Sequence, residues 1–143
     1  MDSSDFTLVF GGEEVLCHKH ILAAASPVLE AMVKNNHREA IESKADIKLS
    51  AEIGRTFVQY IYTGEMQVDV LKEHALAFLE MGEMFNLQEL KHLAESEMLS
   101  QLTKENMVQM ISLGELFRAD DIFKAALRMT KANMTWVRSQ VCF

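Results

Sequence analysis

Cys17-His18-Lys19-His20 is the segment whose residue types come nearest to reactive chemistry. A thiolate and two imidazoles can all ligate zinc, but a closed tetrahedral site takes four donors, with a partner pair elsewhere. No such pair is evident, since Cys142 stands beside the C-terminus and His37, His74 and His92 each stand alone in sequence. Cys17 is therefore expected to end a strand as a small buried hydrophobe, with the histidines flanking a helix start. Glu89-Leu90-Lys91-His92 has the Glu-x-x-His spacing that puts two ligands on one helix face. A di-iron bundle needs two such motifs and two further glutamates. One is present, so a solvated charged face is expected. No GxxxxGK, GxGxxG or GxSxG pattern occurs, and nothing in the local sequence marks an activated nucleophile. The expectation is a non-enzyme with no catalytic residue, no metal and no cofactor.

Composition narrows the class further. A chain of 143 residues that is 49% apolar with a single proline fits one folded domain rather than a disordered polymer. Its net charge of −7 is the wrong sign for a phosphate backbone, and Lys and Arg do not cluster, so no nucleic-acid partner is expected. No apolar run approaches the ~18 residues of a bilayer span. Met1–Asp5 lacks the basic and apolar regions of a signal peptide. No membrane partner is expected, and the cytoplasm or nucleus is the expected location. Two cysteines without paired spacing agree with a reducing compartment. Methionine is in excess, with ten residues. Those in helical stripes read as core filler, and the others leave room for an adaptable partner surface.

The elements that must position these residues follow from pattern. Phe6–Phe10 and Glu13–Cys17 read as two strands around Gly11-Gly12, because glycine tolerates the positive φ of a tight hairpin. Residues 18–25 are rich in alanine and leucine and predict a helix. Ser26-Pro27 restarts the chain as a second helix to about Lys34, since proline suits the first helical position. Asn35–Ala45 is polar and aperiodic and reads as a surface connection. Asp46–Leu49 alternates as a short strand. Ser50 is a suitable N-cap for a helix carrying Ile53, Phe57, Tyr60 and Ile61 on one face, closed by Gly64. Two further helices are predicted over 71–85 and 88–99. Thr103 is the expected N-cap of the next segment, and Asp120-Asp121 opens the last helix. Val141-Cys142-Phe143 resembles a weak carboxylate-capture peptide, but a frayed tail is the expectation there. No internal repeat is evident. Strands in the first half and helices in the second make this α+β, with one core and a helical C-terminal extension.

The residues also resemble a known family. Ser4-Asp5-Phe6-Thr7-Leu8, Gly11-Gly12 and His18-Lys19-x-Ile21-Leu22-Ala23-Ala24-x-Ser26-Pro27-Val28-x-x-x-Met32 resemble a BTB/POZ domain. Phe57-x-x-x-x-Ile61-Tyr62-Thr63-Gly64 and Ala77-x-x-x-Met81-x-x-x-Phe85-x-Leu87-x-x-Leu90 are similar to later signatures of that family. The Leu102-x-x-Glu105-Asn106 and Leu113-x-x-Leu116-x-x-Ala119-Asp120 regions resemble the 3-box helices of speckle-type POZ and kelch-like proteins. The resemblance implies a small β-sheet flanked by a cluster of helices, with residues 1–100 as BTB/POZ domain and 101–143 as a 3-box-like extension on the same core. It implies a protein–protein interaction module. More finely, it implies a substrate adaptor that docks on a cullin-3-type scaffold of an E3 ubiquitin ligase.

The docking residues so implied are Met32, Val33, Lys34, Phe85, Asn86 and Leu87, together with the helices of 103–132. Asp5 and Lys19 fall at the family's charged groove, where they either pair or stand as separate surface charges worth under about 1 kcal/mol. Two departures bear on the transfer. Adaptors carry a hydrophobic-x-Glu motif on the docking helix, whereas Met32-Val33 is followed here by Lys34. The family's dimerising helix precedes the first strand, and only Met1–Asp5 stand before Phe6, so a monomer or a homodimer with another interface is expected. The alternative implied function is a self-associating scaffold, transcriptional or cytoskeletal, that does not bind cullin.

Overall fold

The computed structural model describes residues 4–34 and 43–140. Strands β1 (Phe6–Phe10) and β2 (Glu13–Cys17) form an antiparallel hairpin with Phe6 opposite Cys17 and Phe10 opposite Glu13. Gly11 and Gly12 make the turn at φ 56° and 87°, as their pairing predicts. Alternation puts Phe6, Leu8 and Phe10 into the core, each at most 2% exposed. Strand β3 (Lys44–Ile47) runs parallel to β1 on its other edge, giving the order β2-β1-β3. The predicted strand at 46–49 is thus displaced toward the N-terminus. Ala45 and Ile47 are the alternating pair that the core takes, and Leu49 lies beyond the ladder, half-buried. The predicted surface connection falls on residues 35–42, outside the described residues, except at its strand end.

Parallel strands need a crossover, and helices α1 (Lys19–Ala25) and α2 (Pro27–Lys34) lie within it. Ser26 separates them in extended geometry. Helix α3 (Ala51–Thr63) begins and ends where its cap residues predict. Ser50 Oγ accepts from the Ile53 amide at 3.4 Å, and Gly64 closes the helix at φ 77°. The continuous helix predicted over 71–85 is instead two, α4 (Val68–Glu73) and α5 (Ala75–Met84). His74 breaks them at φ −123°, ψ 34°. Leu71, Ala75, Phe78 and Leu79 keep helical spacing across that break, so periodicity conceals it.

Helices α6 (Gln88–Ser100), α7 (Met107–Leu116), α8 (Asp120–Ala132) and α9 (Met134–Gln140) complete the described chain. Thr103 does not cap α7. Asn106 is the residue before it, and its side chain accepts from the Thr103 amide at 2.8 Å and donates to the Gln101 carbonyl at 2.9 Å. Helix α9 follows the last helix that the sequence predicts, and the expected frayed tail, residues 141–143, lies outside the described residues. No helix among the described residues is long and apolar enough to cross a membrane.

One reading of the sequence is overturned. An internal repeat is present: the hairpin α7–α8 reproduces α5–α6 at an offset of 32 residues. Gly82 and Gly114 hold the same place, and a Cβ on either would stand 2.8 Å from the backbone of the returning helix, at Lys91 or Phe123. The amides of Leu87 and Ala119 reach back to the carbonyls of these glycines, both at 2.8 Å. Asn86 and Arg118 turn the corners in the left-handed region, at φ 53° and 55°. Side-chain identity survives at few matched positions, among them Glu83 and Glu115, Phe85 and Phe117, and Ala94 and Ala126. At core positions such as Phe78 and Met110, Leu79 and Ile111, or Leu90 and Ile122, one apolar residue replaces another, and the exposed positions diverge, so the sequence pattern does not display the repeat. The two hairpins share one buried cluster that runs from Phe6 through Phe57 and Phe85 to Ile122 and Ala126.

Candidate interaction surface

Ser26 joins the segments that the sequence singles out. It is buried, donates through Oγ to the Phe85 carbonyl at 2.6 Å, and accepts from the Leu29 amide at 3.2 Å. The N-terminus of α2 is thereby fixed to the corner between α5 and α6, across 59 residues of sequence. Proline at position 27 suits this arrangement, because the first helical residue needs no amide partner.

Of the six implied docking residues, two lie inside. Val33 is buried in the core, and Phe85 is buried and stacked on Phe57 with ring centroids 5.4 Å apart. They support a surface rather than form it. Lys34 and Asn86 are exposed, while Met32 and Leu87 are half-buried. Lys34 pairs with Glu30 one turn back at 3.7 Å. Asn86 accepts from the Gln88 side chain at 3.0 Å. Beside this corner runs a groove of about 350 Å³, lined by Tyr60, Ile61, Asn86, Leu87 and Glu89 among others. Burial pushes the Tyr60 hydroxyl above its ordinary pKa, and the Glu89 carboxylate adds to the shift. The sequence marks neither Tyr60 nor Ile61 as a site residue, and Glu89 enters there only through its spacing to His92. Their apolar spacing marks Tyr60 and Ile61 only as one helix face.

Asp5 and Lys19 do meet, though not as an ion pair. The Lys19 backbone amide donates to Asp5 Oδ1 at 2.7 Å. The carboxylate therefore serves the N-terminus of α1, where His18 makes no side-chain cap. His18 is engaged with α3: its amide donates to the Tyr62 hydroxyl at 2.8 Å, and its Nδ1 lies 2.9 Å from the same oxygen.

The remaining candidates resolve on burial and distance. Cys17 is fully buried, and desolvation pushes its thiol up to about 11. Such a thiol is neither a thiolate ligand nor a nucleophile near neutral pH. Glu89 and His92 are exposed, and the nearest acid to His92 is Glu95, with Nδ1 3.9 Å from Oε1. Glu95 itself is buried on α6, and its Oε2 accepts from the Asp121 and Ile122 amides at 3.1 and 3.4 Å. This carboxylate caps α8 from outside its own hairpin. Glu83 makes a second link, bonded to Lys91 at 2.8 Å and lying 3.9 Å from Arg118. A second groove, of about 420 Å³, opens at the α7–α8 corner between Arg118, Asp120 and Phe123.

The comparisons with known proteins agree with this architecture. The chain is 30% identical over 125 residues to a BTB/POZ domain-containing protein of Arabidopsis thaliana, covering 87% of this chain and 51% of that one. It is 30% identical over 99 residues to human Kelch-like protein 38, covering 68% of this chain and 17% of the relative. The chain thus spans about half of the first relative and about a sixth of the second. Among solved structures, the BTB domain of human gigaxonin is similar at 27% identity and a TM-score of 0.53, over 64% of this chain and 74% of that one. The BTB domain of zebrafish PATZ1 shares the fold at 19% identity and a TM-score of 0.56, over 69% of this chain and 77% of that one. A BTB/POZ domain model matches residues 1–102. That match takes in the hairpin, the Ser26–Phe85 link and the first helical pair, and by it the chain belongs to the BTB/POZ domain family, a class of protein-interaction modules.

Proposed function

We propose that the chain is the adaptor module of a cullin-3-type E3 ubiquitin ligase, acting in the cytoplasm or nucleus and holding the scaffold while another segment or subunit brings the client. The proposal takes residues 1–100 as the BTB/POZ domain and 101–143 as the 3-box-like extension. The observation that carries it is the second hairpin. It packs in register on the first through the Glu95 cap, so that the corners at Asn86 and Arg118 repeat. Kelch-like relatives and the 3-box resemblance support the same reading. Met32, Lys34, Asn86 and Leu87 would touch the scaffold, with Val33 and Phe85 beneath them. Asp5 has a structural part in the charged groove, and Lys19 joins it through its amide.

Titration of the chain against the N-terminal domain of cullin-3 tests the proposal. A saturable complex at low micromolar concentration supports it, and no complex at tens of micromolar removes it. Lys34 favours a second reading, a scaffold that associates with itself and does not bind cullin. An exposed cation stands where adaptors carry glutamate, and a reversed charge at a contact weakens binding strongly. Light scattering over a concentration series, run beside the titration, separates the two. A dimer without cullin binding selects the scaffold.

A further inference from the structure

His74 does not stand alone once the chain is folded. It occupies the break between α4 and α5, where its amide donates to Val70 at 2.9 Å and its carbonyl accepts from Phe78 at 3.2 Å. The corner holding the ring is thus tied on both sides. Its Nε2 is shielded from solvent and has no hydrogen-bond partner. Two carboxylates face it at distances longer than a hydrogen bond: Glu52 Oε2 at 3.8 Å and Glu73 Oε1 at 4.0 Å. The three ligand atoms lie within 4.8 Å of one another, the one such group of three among the described residues. Glu52 comes from the first turn of α3 and Glu73 from the end of α4, so the triad joins the start of one helix to the far end of the next.

The repeat makes the unsatisfied nitrogen more telling. Asn106 holds the corresponding position before α7, and both ends of its amide are bonded within its own loop. At position 74 the same corner instead presents a nitrogen with no hydrogen bond, facing two carboxylates. We propose that Glu52, Glu73 and His74 bind a divalent transition cation, with zinc the ion that best matches one imidazole and two carboxylates. Zinc holds such donors at about 2.0–2.2 Å, which places neighbouring donors roughly 3.3 Å apart in a tetrahedral site. The observed gaps exceed that by several tenths of an ångström on the histidine side. Both carboxylate side chains are more than half exposed and free to swing inward. Water completes the shell. The ion would clasp the start of α3 to the α4–α5 corner, and the net charge of −7 favours its approach.

Isothermal titration of the whole chain with zinc chloride in a non-coordinating buffer tests the site, with cobalt(II) absorbance as a second readout. The expected result is one equivalent bound in the micromolar range, a melting temperature raised by saturating zinc, and affinity lowered at least tenfold by His74→Asn. That substitution introduces the residue the repeat already carries at the matching corner, and the metal-free melting temperature checks that the fold survives. Glu52→Gln, on an exposed side chain, should weaken binding comparably, while Cys17→Ser and His92→Asn should leave it unchanged. No saturable uptake, or uptake that survives both His74→Asn and Glu52→Gln, overturns the proposal.

Discussion

At the scale of single residues, two buried polar groups decide more than the exposed charges. Ser26 Oγ serves two backbone groups at once, so Ser26→Ala leaves the Phe85 carbonyl and the Leu29 amide unpaired inside the core. The expected cost is about 1–3 kcal/mol, read from urea unfolding, with weaker protection of the α5–α6 corner in hydrogen exchange. Cys17 makes a prediction about pH. Its thiol is raised from 9.0 to about 11 by desolvation, with a hydrogen bond to the Leu8 backbone opposing the shift. A raised native pKa means stability that is fully present below pH 9 and lost as pH climbs from 9 toward 11, because the unfolded thiol ionises first. Melting wild type and Cys17→Ala side by side should show wild type losing more stability across that window. Iodoacetamide at pH 8 should spare Cys17 in the native chain and label it in urea, as peptide mapping by mass spectrometry would report.

At the scale of elements, what the sequence discloses depends on how local the cause is. The β1–β2 hairpin, the Ser50 cap and the Gly64 stop each follow from a few adjacent residues, and the structure holds them where the pattern predicts. The break at His74 is different, because the apolar spacing continues across it. The Ser26–Phe85 bond and the His74 triad join positions that no motif connects. The repeat is hidden in the sequence for another reason: it is kept as backbone geometry, whose signature is a glycine at one place in each hairpin. Gly82→Ala and Gly114→Ala should both destabilise, by about 1–3 kcal/mol from overpacking, despite the roughly 1 kcal/mol by which alanine favours a helix. In each case the added methyl meets backbone of the returning helix. A stabilising Gly114→Ala in thermal melts would mean that the second hairpin does not close as tightly as the first.

At the scale of the molecule, the question is how the second hairpin is held to the first, since any surface spanning both corners depends on it. Apolar contact contributes through Met98, Met110, Ile122 and Ala126 in the shared core, but such packing is not directional. Glu95 is directional. Its carboxylate meets two amides at the start of α8, where the helix dipole favours negative charge. The matching position in the second hairpin is Leu127, which cannot do this for a further helix. Glu95→Ala should therefore cost about 1.5–3 kcal/mol, and the loss should be uneven. Exchange protection should fall across Met107–Ala132 before it falls in α5, with the β-sheet least affected. Glu95→Gln keeps an acceptor without the charge and should recover part of the loss. If Glu95→Ala instead lowered protection equally in both hairpins and the sheet, the two hairpins would form one cooperative unit. A partner would then meet a surface already rigid before binding. With the uneven loss, docking of α7–α8 is a separate step, and a partner that spans both corners stabilises it by binding.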